Sequence, residues 1–366
     1  MGGGHRRRPQ HRCRARAAPV AALLLAAGAL WPASPLLAAE GCRARAAPLA
    51  ARSTFNLRID NDMFGGAGQD QGYTNGFLLS MVSPNLLDYL DDPCLPLLVR
   101  RLNGYLTRLQ PEGFDEQNMT IGLGQMMYTP VDHARTDLIP DDRPYAGALM
   151  FSLGYNARRG DHLRTTQVRV GVVGPASQAD AIQDGWHDLI GADRFQGWQH
   201  QLRDEPVFQL IHERRRRLRR QAGATGWGWD LTRHWGASLG NFATYANFGG
   251  ELRLGLRLPD DFGTAPLRPA GENTAPVNAT GDGRWNGHLF IAADARWVLR
   301  DITLDGNTFK SSHSVDKRPF VADLGYGLAV YRGHWRLAFA RYHRTREFDG
   351  QGEVPVYGTI TLGRRF

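Results

Sequence analysis

Cysteine is scarce in this chain: Cys13, Cys42 and Cys94 are the whole supply in 366 residues. A disulfide-built scaffold is excluded, because one or two bridges cannot staple a chain of this length. Past residue 39 no stretch of 18 apolar residues occurs, so no helix is apolar for long enough to cross a bilayer. H-E-x-x-H and P-loop patterns are absent, which removes the helical zinc hydrolases and the phosphate-loop NTPases. Acids are missing altogether from the first 39 positions. That segment carries Arg6, Arg7, Arg8, Arg12, Arg14 and Arg16, an apolar run from Val20 to Leu30, and small residues up to Ala38-Ala39. This is the pattern of a secretory signal, expected over 1–39. A short N-terminal segment, 40–53, follows, and then one domain over 54–366. Removing the signal takes away six of the 44 basic residues and none of the 36 acids. The net charge then falls from +8 to about +2. The basic balance is a targeting feature, and nucleic-acid binding conflicts with secretion. Cys42 and Cys94 remain after cleavage, and their pairing is left open.

What the chain does have is period-two patterning. Phe55, Leu57 and Ile59 alternate with Asn56, Arg58 and Asp60. Val168, Val170 and Val172 alternate with Gln167, Arg169 and Gly171. Leu289, Ile291, Ala293 and Ala295 oppose Phe290, Asp294 and Arg296. Such segments, about ten residues long and rich in Trp and Tyr, predict an all-β antiparallel transmembrane barrel. Twelve strands are expected, near 54–62, 72–83, 117–126, 145–155, 164–173, 205–217, 227–240, 242–258, 286–298, 319–331, 334–344 and 355–366. The last segment, Tyr357 to Phe366, resembles the C-terminal strand of bacterial outer-membrane proteins. Its terminal Phe366 is expected to engage the barrel-assembly machinery. Arg364 fits that strand imperfectly, because its face is usually apolar. With the N-terminus on the periplasmic side, the odd-numbered connections lie outside. A long connection at 84–116 then falls on the periplasmic side, with an amphipathic helix expected through Leu95–Leu106. The connection 259–284, rich in Pro, Gly and Thr, reads as mobile.

Two polar clusters gather where the first strands meet their loop: Asp60-Asn61-Asp62 and Gly72-Tyr73-Thr74-Asn75-Gly76. A carboxylate with uncharged oxygens suits a hard cation such as Ca2+. In strict alternation Asp60, Asp62 and Thr74 share the lumen face. Asn61 would face lipid, so the strand is expected to end or bulge there. The plain alternative is a polar rim with a turn at Gly65-Gly66. In the loop 174–204, Ile182, Trp186, Leu189 and Ile190 predict a short amphipathic helix in an extracellular loop. His187 shares a face of that helix with Gln183 and Asp184. A neutral His over a cation site can take a proton from water as general base. Asp188, Asp193 or Glu205 could orient its far nitrogen. The alternative is a solvated loop His, and His133 is a rival on the same side. The run Arg214–Arg217 with Arg219 and Arg220 reads first as a solvated turn and second as a contact for anionic headgroups.

These pieces, in this order, resemble the outer-membrane lipid A 3′-O-deacylase family. The residues that carry the resemblance are Asp60-Asn61-Asp62, Gly72 to Gly76, Gln125 to Pro130, Asp142 to Gly147, Gly171 to Pro175, Gln183 with His187, and Gly197 to Glu205. The resemblance implies a twelve-stranded barrel in the bacterial outer membrane. It implies a site facing the cell surface, between the outer part of the wall and a loop helix. It further implies a Ca2+ ion held near Asn61, Asp62 and Thr74, a His187-activated water, and lipid A or lipopolysaccharide as substrate. Asp193 stands where the family places a carboxylate, usually Glu, and is shorter by one methylene. Two other readings stay open: an outer-membrane phospholipase, and a non-catalytic barrel that acts as a channel or binding protein.

Overall fold

Each alternating segment forms a strand, and the twelve strands close on themselves. They are β1 (Thr54–Asn61), β2 (Gly72–Val82), β3 (Glu116–Thr129), β4 (Ala146–Arg159), β5 (His162–Val173) and β6 (Glu205–Ala222), then β7 (Trp227–Leu239), β8 (Ala243–Leu256), β9 (Trp285–Asp301), β10 (Phe320–Arg332), β11 (Trp335–Arg344) and β12 (Val356–Arg365). Two α-helices with bounds among the described residues interrupt them: α1 (Ala179–Ile190) and the one-turn α2 (Ile302–Asp305). The computed structural model describes residues 53–65, 72–86, 113–264 and 284–366, with Arg101, Gly104 and Tyr105. The expected signal, the segment 40–52, Cys42, Cys94 and most of the expected Leu95–Leu106 helix lie outside the described residues.

Every strand pairs antiparallel with its sequence neighbours, and β1 closes the barrel against β12 from Thr54↔Arg365 to Asn61↔Gly358. Closure leaves no unpaired strand edge to be satisfied by solvent. The patterning is inverted relative to a water-soluble sandwich. Val168, Val170, Phe208, Leu210, Phe248, Leu252, Leu254, Leu289 and Ile291 are exposed on the outer face. Their neighbours in sequence, among them Arg169, Gln209, Glu251 and Arg253, are buried in the lumen. An apolar outer belt over a polar interior is what hydrocarbon solvent demands of a closed barrel. Arg364 is reconciled with this face by stacking: its guanidinium lies 5.0 Å from the Trp335 ring centroid and 4.6 Å from that of Phe366.

The lumen is filled by paired charges. Arg253 donates to both Asp230 oxygens at 2.8 and 2.6 Å and also binds Asp261. Arg344 bridges Asp323 at 2.7 Å and Glu347 at 3.1 Å. His234 meets Asp294 at 2.8 Å, and Arg58 meets Asp60 at 2.6 Å. Buried charges of this kind are tolerated because each has a hydrogen-bonded counter-charge.

Two expectations change. The arginine run is not a turn, because β6 continues to Ala222 and carries the run as strand. The start of the 259–284 connection is held in place. Phe262 is buried against Leu163 beneath the guanidinium groups of Arg158 and Arg217. Arg217 and Arg253 bind Asp261, Arg158 and Arg220 bind Asp260, and Arg336 donates to the Thr264 carbonyl. Residues 265–283, on which the rest of that expectation falls, lie outside the described residues. Pro, Gly and Thr content did not reveal the arginines waiting in the lumen.

Candidate active site

The sequence clusters meet at the rim formed by the odd-numbered connections, on the outer side of the wall. β1 ends at Asn61, and Asp62 starts a 3-10 turn, so the strand stops where an amide would otherwise enter the apolar belt. The expected irregularity falls on β2: its register with β3 shifts between Tyr73 and Asn75. One extra residue reverses the sidedness of the strand locally. Tyr73 therefore points inward, donating to Asp60 at 2.9 Å, while the Thr74 hydroxyl meets the Thr129 hydroxyl at 2.5 Å. Thr129 lies on the outer face of β3 with Gln125 and Met127. The lumen placement expected for Thr74 is thus corrected by a bulge that period-two reading cannot register. Asn61 donates to the Thr74 carbonyl at 3.3 Å and accepts from Met63 N at 2.8 Å. Asn61, Asp62, Thr74 and Thr129 are all buried.

The helix α1 covers this face. Its first residue, Ala179, packs with Met127, Tyr145, Phe195 and Trp198. Gly147 permits the approach, since a Cβ there would sit 2.2 Å from that of Ala179. Gln125 anchors the loop just before the helix, donating to the Ser177 carbonyl at 2.6 Å. Gln183, on the buried face of α1, accepts from Trp198 Nε1 at 2.8 Å. Gln125 Oε1 and Gln183 Nε2 are buried and make no hydrogen bond among the described residues. Two orphaned amide groups under one helix mark a place built to receive something polar.

His187 is 2% exposed and sits on the same buried face. The helix ends at Gly191 in the left-handed region (φ +71°), which turns the chain back on itself. Arg194 then clamps the returning loop to the helix, bonding Asp188 at 2.9 Å and lying 3.7 Å from Asp184. The Arg194 hydrogen bond holds the Asp188 carboxyl below its ordinary value, while burial pushes Asp184 up. This turn brings the Asp193 carbonyl to 2.5 Å from His187 Nδ1. A carbonyl only accepts, so Nδ1 carries the proton and Nε2 of the neutral ring holds the free lone pair.

Asp193 is therefore brought to His187 through its backbone. Its carboxylate is solvent-exposed, 3.8 Å from His133 Nε2. Asp188 is committed to Arg194, and Glu205 accepts from the backbone N–H groups of Thr308 and Phe309. His133 stands beside the site: the Phe195 ring is 5.9 Å from it and 5.8 Å from His187.

The donors near Asp62 suit a hard cation, with one carboxylate, the Asn61 amide oxygen, and the Thr74 hydroxyl and carbonyl. Among the described residues no group of three His, Cys, Asp or Glu side chains forms a metal cluster.

The model of the family "Outer membrane protein LpxR" matches residues 21–366. The chain belongs to the LpxR family. The solved LpxR from Salmonella typhimurium is 18% identical, with a TM-score of 0.66 over 86% of this chain and 100% of that one. The LpxR fold is therefore shared. The β domain of the Bordetella autotransporter BrkA (8% identity, 87% and 99% covered) and the translocator domain of NalP from Neisseria meningitidis (12%, 95% and 97%) give TM-scores of 0.39 and 0.37. No functionally curated protein matches the chain.

Within this LpxR-family barrel one motif is set aside. Gly236-Ala-Ser238-Leu-Gly240 has the spacing of a serine nucleophile elbow. It lies in antiparallel β7, and Ser238 is occupied in the wall, accepting from Gln209 and donating to the Ala243 carbonyl at 2.8 Å each. Thr129 and Gln125 are the site residues that chemical pattern reading passed over. Both sit in a segment that reads as plain strand, and their only signal was membership of the Gln125–Pro130 block.

Proposed function

We propose that this outer-membrane protein is a calcium-dependent lipid A 3′-O-deacylase that hydrolyses the ester of the 3′ acyloxyacyl chain at the cell surface. The observation that carries the reading is where the polar cluster lies. Thr129, on the outer face of β3, meets the Thr74 hydroxyl, Asn61 reaches the Thr74 carbonyl, and α1 packs on Met127 of the same β3 face. Leu149 and Phe151 continue the same face into the apolar belt. A lipid ester at the polar–apolar border can reach such a cleft from the side, with its chains in the bilayer. A soluble substrate crossing the lumen would not need it, and the paired charges that fill the lumen weigh against a channel.

Asp62, with Asn61 and Thr74, would hold the cation, which when bound would supply Lewis-acid polarisation of the ester carbonyl and charge for the oxyanion. His187, fixed by the Asp193 carbonyl, takes a proton from water at Nε2. The imidazolium so formed keeps its Nδ1–H on that carbonyl and returns the other proton to the leaving alkoxide. Water is the nucleophile, so no Ser or Cys is required. Gln183 Nε2 can donate to an acyl or sugar oxygen, and Gln125 Oε1 can accept from a sugar hydroxyl.

The test is mass spectrometry of lipid A incubated with refolded mature protein, with calcium or with a chelator. Calcium-dependent loss of one acyloxyacyl group is expected. Intact lipid A with cleaved glycerophospholipid would make the enzyme a phospholipase, and no cleavage of either would make the barrel non-catalytic.

A further inference from the structure

The arginine run of β6 splits between two faces. Arg215 and Arg217 point inward and are paired, with Glu213 at 2.7 Å, Asp161 at 3.2 Å and Asp260 at 2.9 Å. Arg214 and Arg216 point outward. In the sheet Arg214 lies opposite Arg164 of β5, and Arg216 lies opposite Arg233 of β7. All four side chains share the outer face. None has a carboxylate partner among the described residues; Arg214 stacks on Trp235 at 5.2 Å and Arg164 on Phe114 at 5.8 Å. Like charges directly opposite on adjacent strands destabilise a sheet. Two such pairs side by side, in a wall whose inner face neutralises nearly every cation, call for an external anion.

The position says which anion. Along these strands the outward residues run Val170 and Val168, Phe208 and Leu210, Leu239 and Trp235, and then the arginines. On β7 the outward residues continue past Arg233 with Leu231, Trp229 and Trp227, so the cations sit between the apolar belt and the tryptophans of the rim opposite α1. Guanidinium groups at that depth meet the phosphodiester directly below the acyl chains. We infer that Arg164, Arg214, Arg216 and Arg233 form a binding site for the phosphate of an anionic glycerophospholipid in the leaflet at this rim. The inference does not depend on the hydrolase reading, because the cluster lies at the other end of the barrel.

The test is native mass spectrometry of the full mature barrel released from micelles holding equal amounts of phosphatidylglycerol and phosphatidylcholine with matched chains. Wild type should retain phosphatidylglycerol about fivefold or more over phosphatidylcholine. The combined Arg214→Gln, Arg216→Gln and Arg233→Gln variant should retain both equally, while the three corresponding Lys substitutions keep a preference. Should the triple Gln variant not fold, Arg216→Gln alone should at least halve the ratio. Equal retention by wild type, or a preference that survives in folded Gln variants, would overturn the site. Preferential retention of lipopolysaccharide over phosphatidylglycerol, lost in the Gln variants, would overturn the assigned lipid.

Discussion

The lumen and the cleft under α1 are both lined with buried polar groups, yet they are built differently. In the lumen the cations and anions come from the strands, the inserted 258–264 segment and the β11–β12 loop, and they pair with counter-charges: Arg253 with Asp230 and Asp261, Arg344 with Asp323 and Glu347. In the cleft the residues are mostly neutral, come from strands and a loop far apart in sequence, and leave amide atoms of Gln125 and Gln183 without partners. A closed set of charges makes a rigid filling. An open set of dipoles leaves bonds to be made with a substrate.

Substitutions can separate the two regions. His187→Ala should lower kcat for ester cleavage by about 10²–10⁴-fold while the barrel keeps its heat-modifiable mobility on gels; unchanged turnover would remove His187 as base. Arg253→Ala should do the reverse. It strands Asp230 and Asp261 as uncompensated buried charges and costs about 3–5 kcal/mol in urea unfolding from lipid, with turnover of the folded fraction intact. Equal loss of activity would mean that the regions are coupled. Asp62→Ala should weaken the apparent calcium affinity by about 10–100-fold, and an unaltered titration would take Asp62 off the ligand list.

Arg194→Gln tests the loop clamp and should have the smallest effect. The Arg194 bond lowers the folded-state pKa of Asp188 below its ordinary 3.8. A depressed carboxyl contributes stability above its unfolded pKa and loses it as pH falls through the folded value. Wild type and variant should therefore differ slightly above pH 4 and converge as pH falls below 3.8 through the lowered folded-state value, as read by thermal melts. Both groups are exposed, so screening keeps the gap small. A gap that widens on acidification would contradict the assignment.

The barrel was legible because one period governs every strand, and each outward apolar residue in β5, β6 and β9 reports the same solvent. The strand ends were less so. β6 runs on to Ala222 because inward Arg217 finds Asp161 and Asp260, partners that no local pattern announces. Of the candidate site, Asn61, Asp62 and His187 stood out as polar residues at strand ends or on an amphipathic helix. Thr74 was placed on the wrong face because a single bulge residue inverts sidedness. The contact that orients His187 is a main-chain carbonyl, which sequence does not distinguish from any other. Asp193 meets His187 through its main-chain carbonyl and not through the carboxylate for which it was singled out.

The turn Asp62–Gly65 rests on β12: a Cβ added at Gly358 would come within 2.4 Å of that of Phe64. The first strand and the twelfth thus hold the turn between them. Without β12, the turn that carries Asp62 has no floor. On the proposed reading, in which Asp62 would hold the cation, the seam that closes the wall also shapes the seat of that cation.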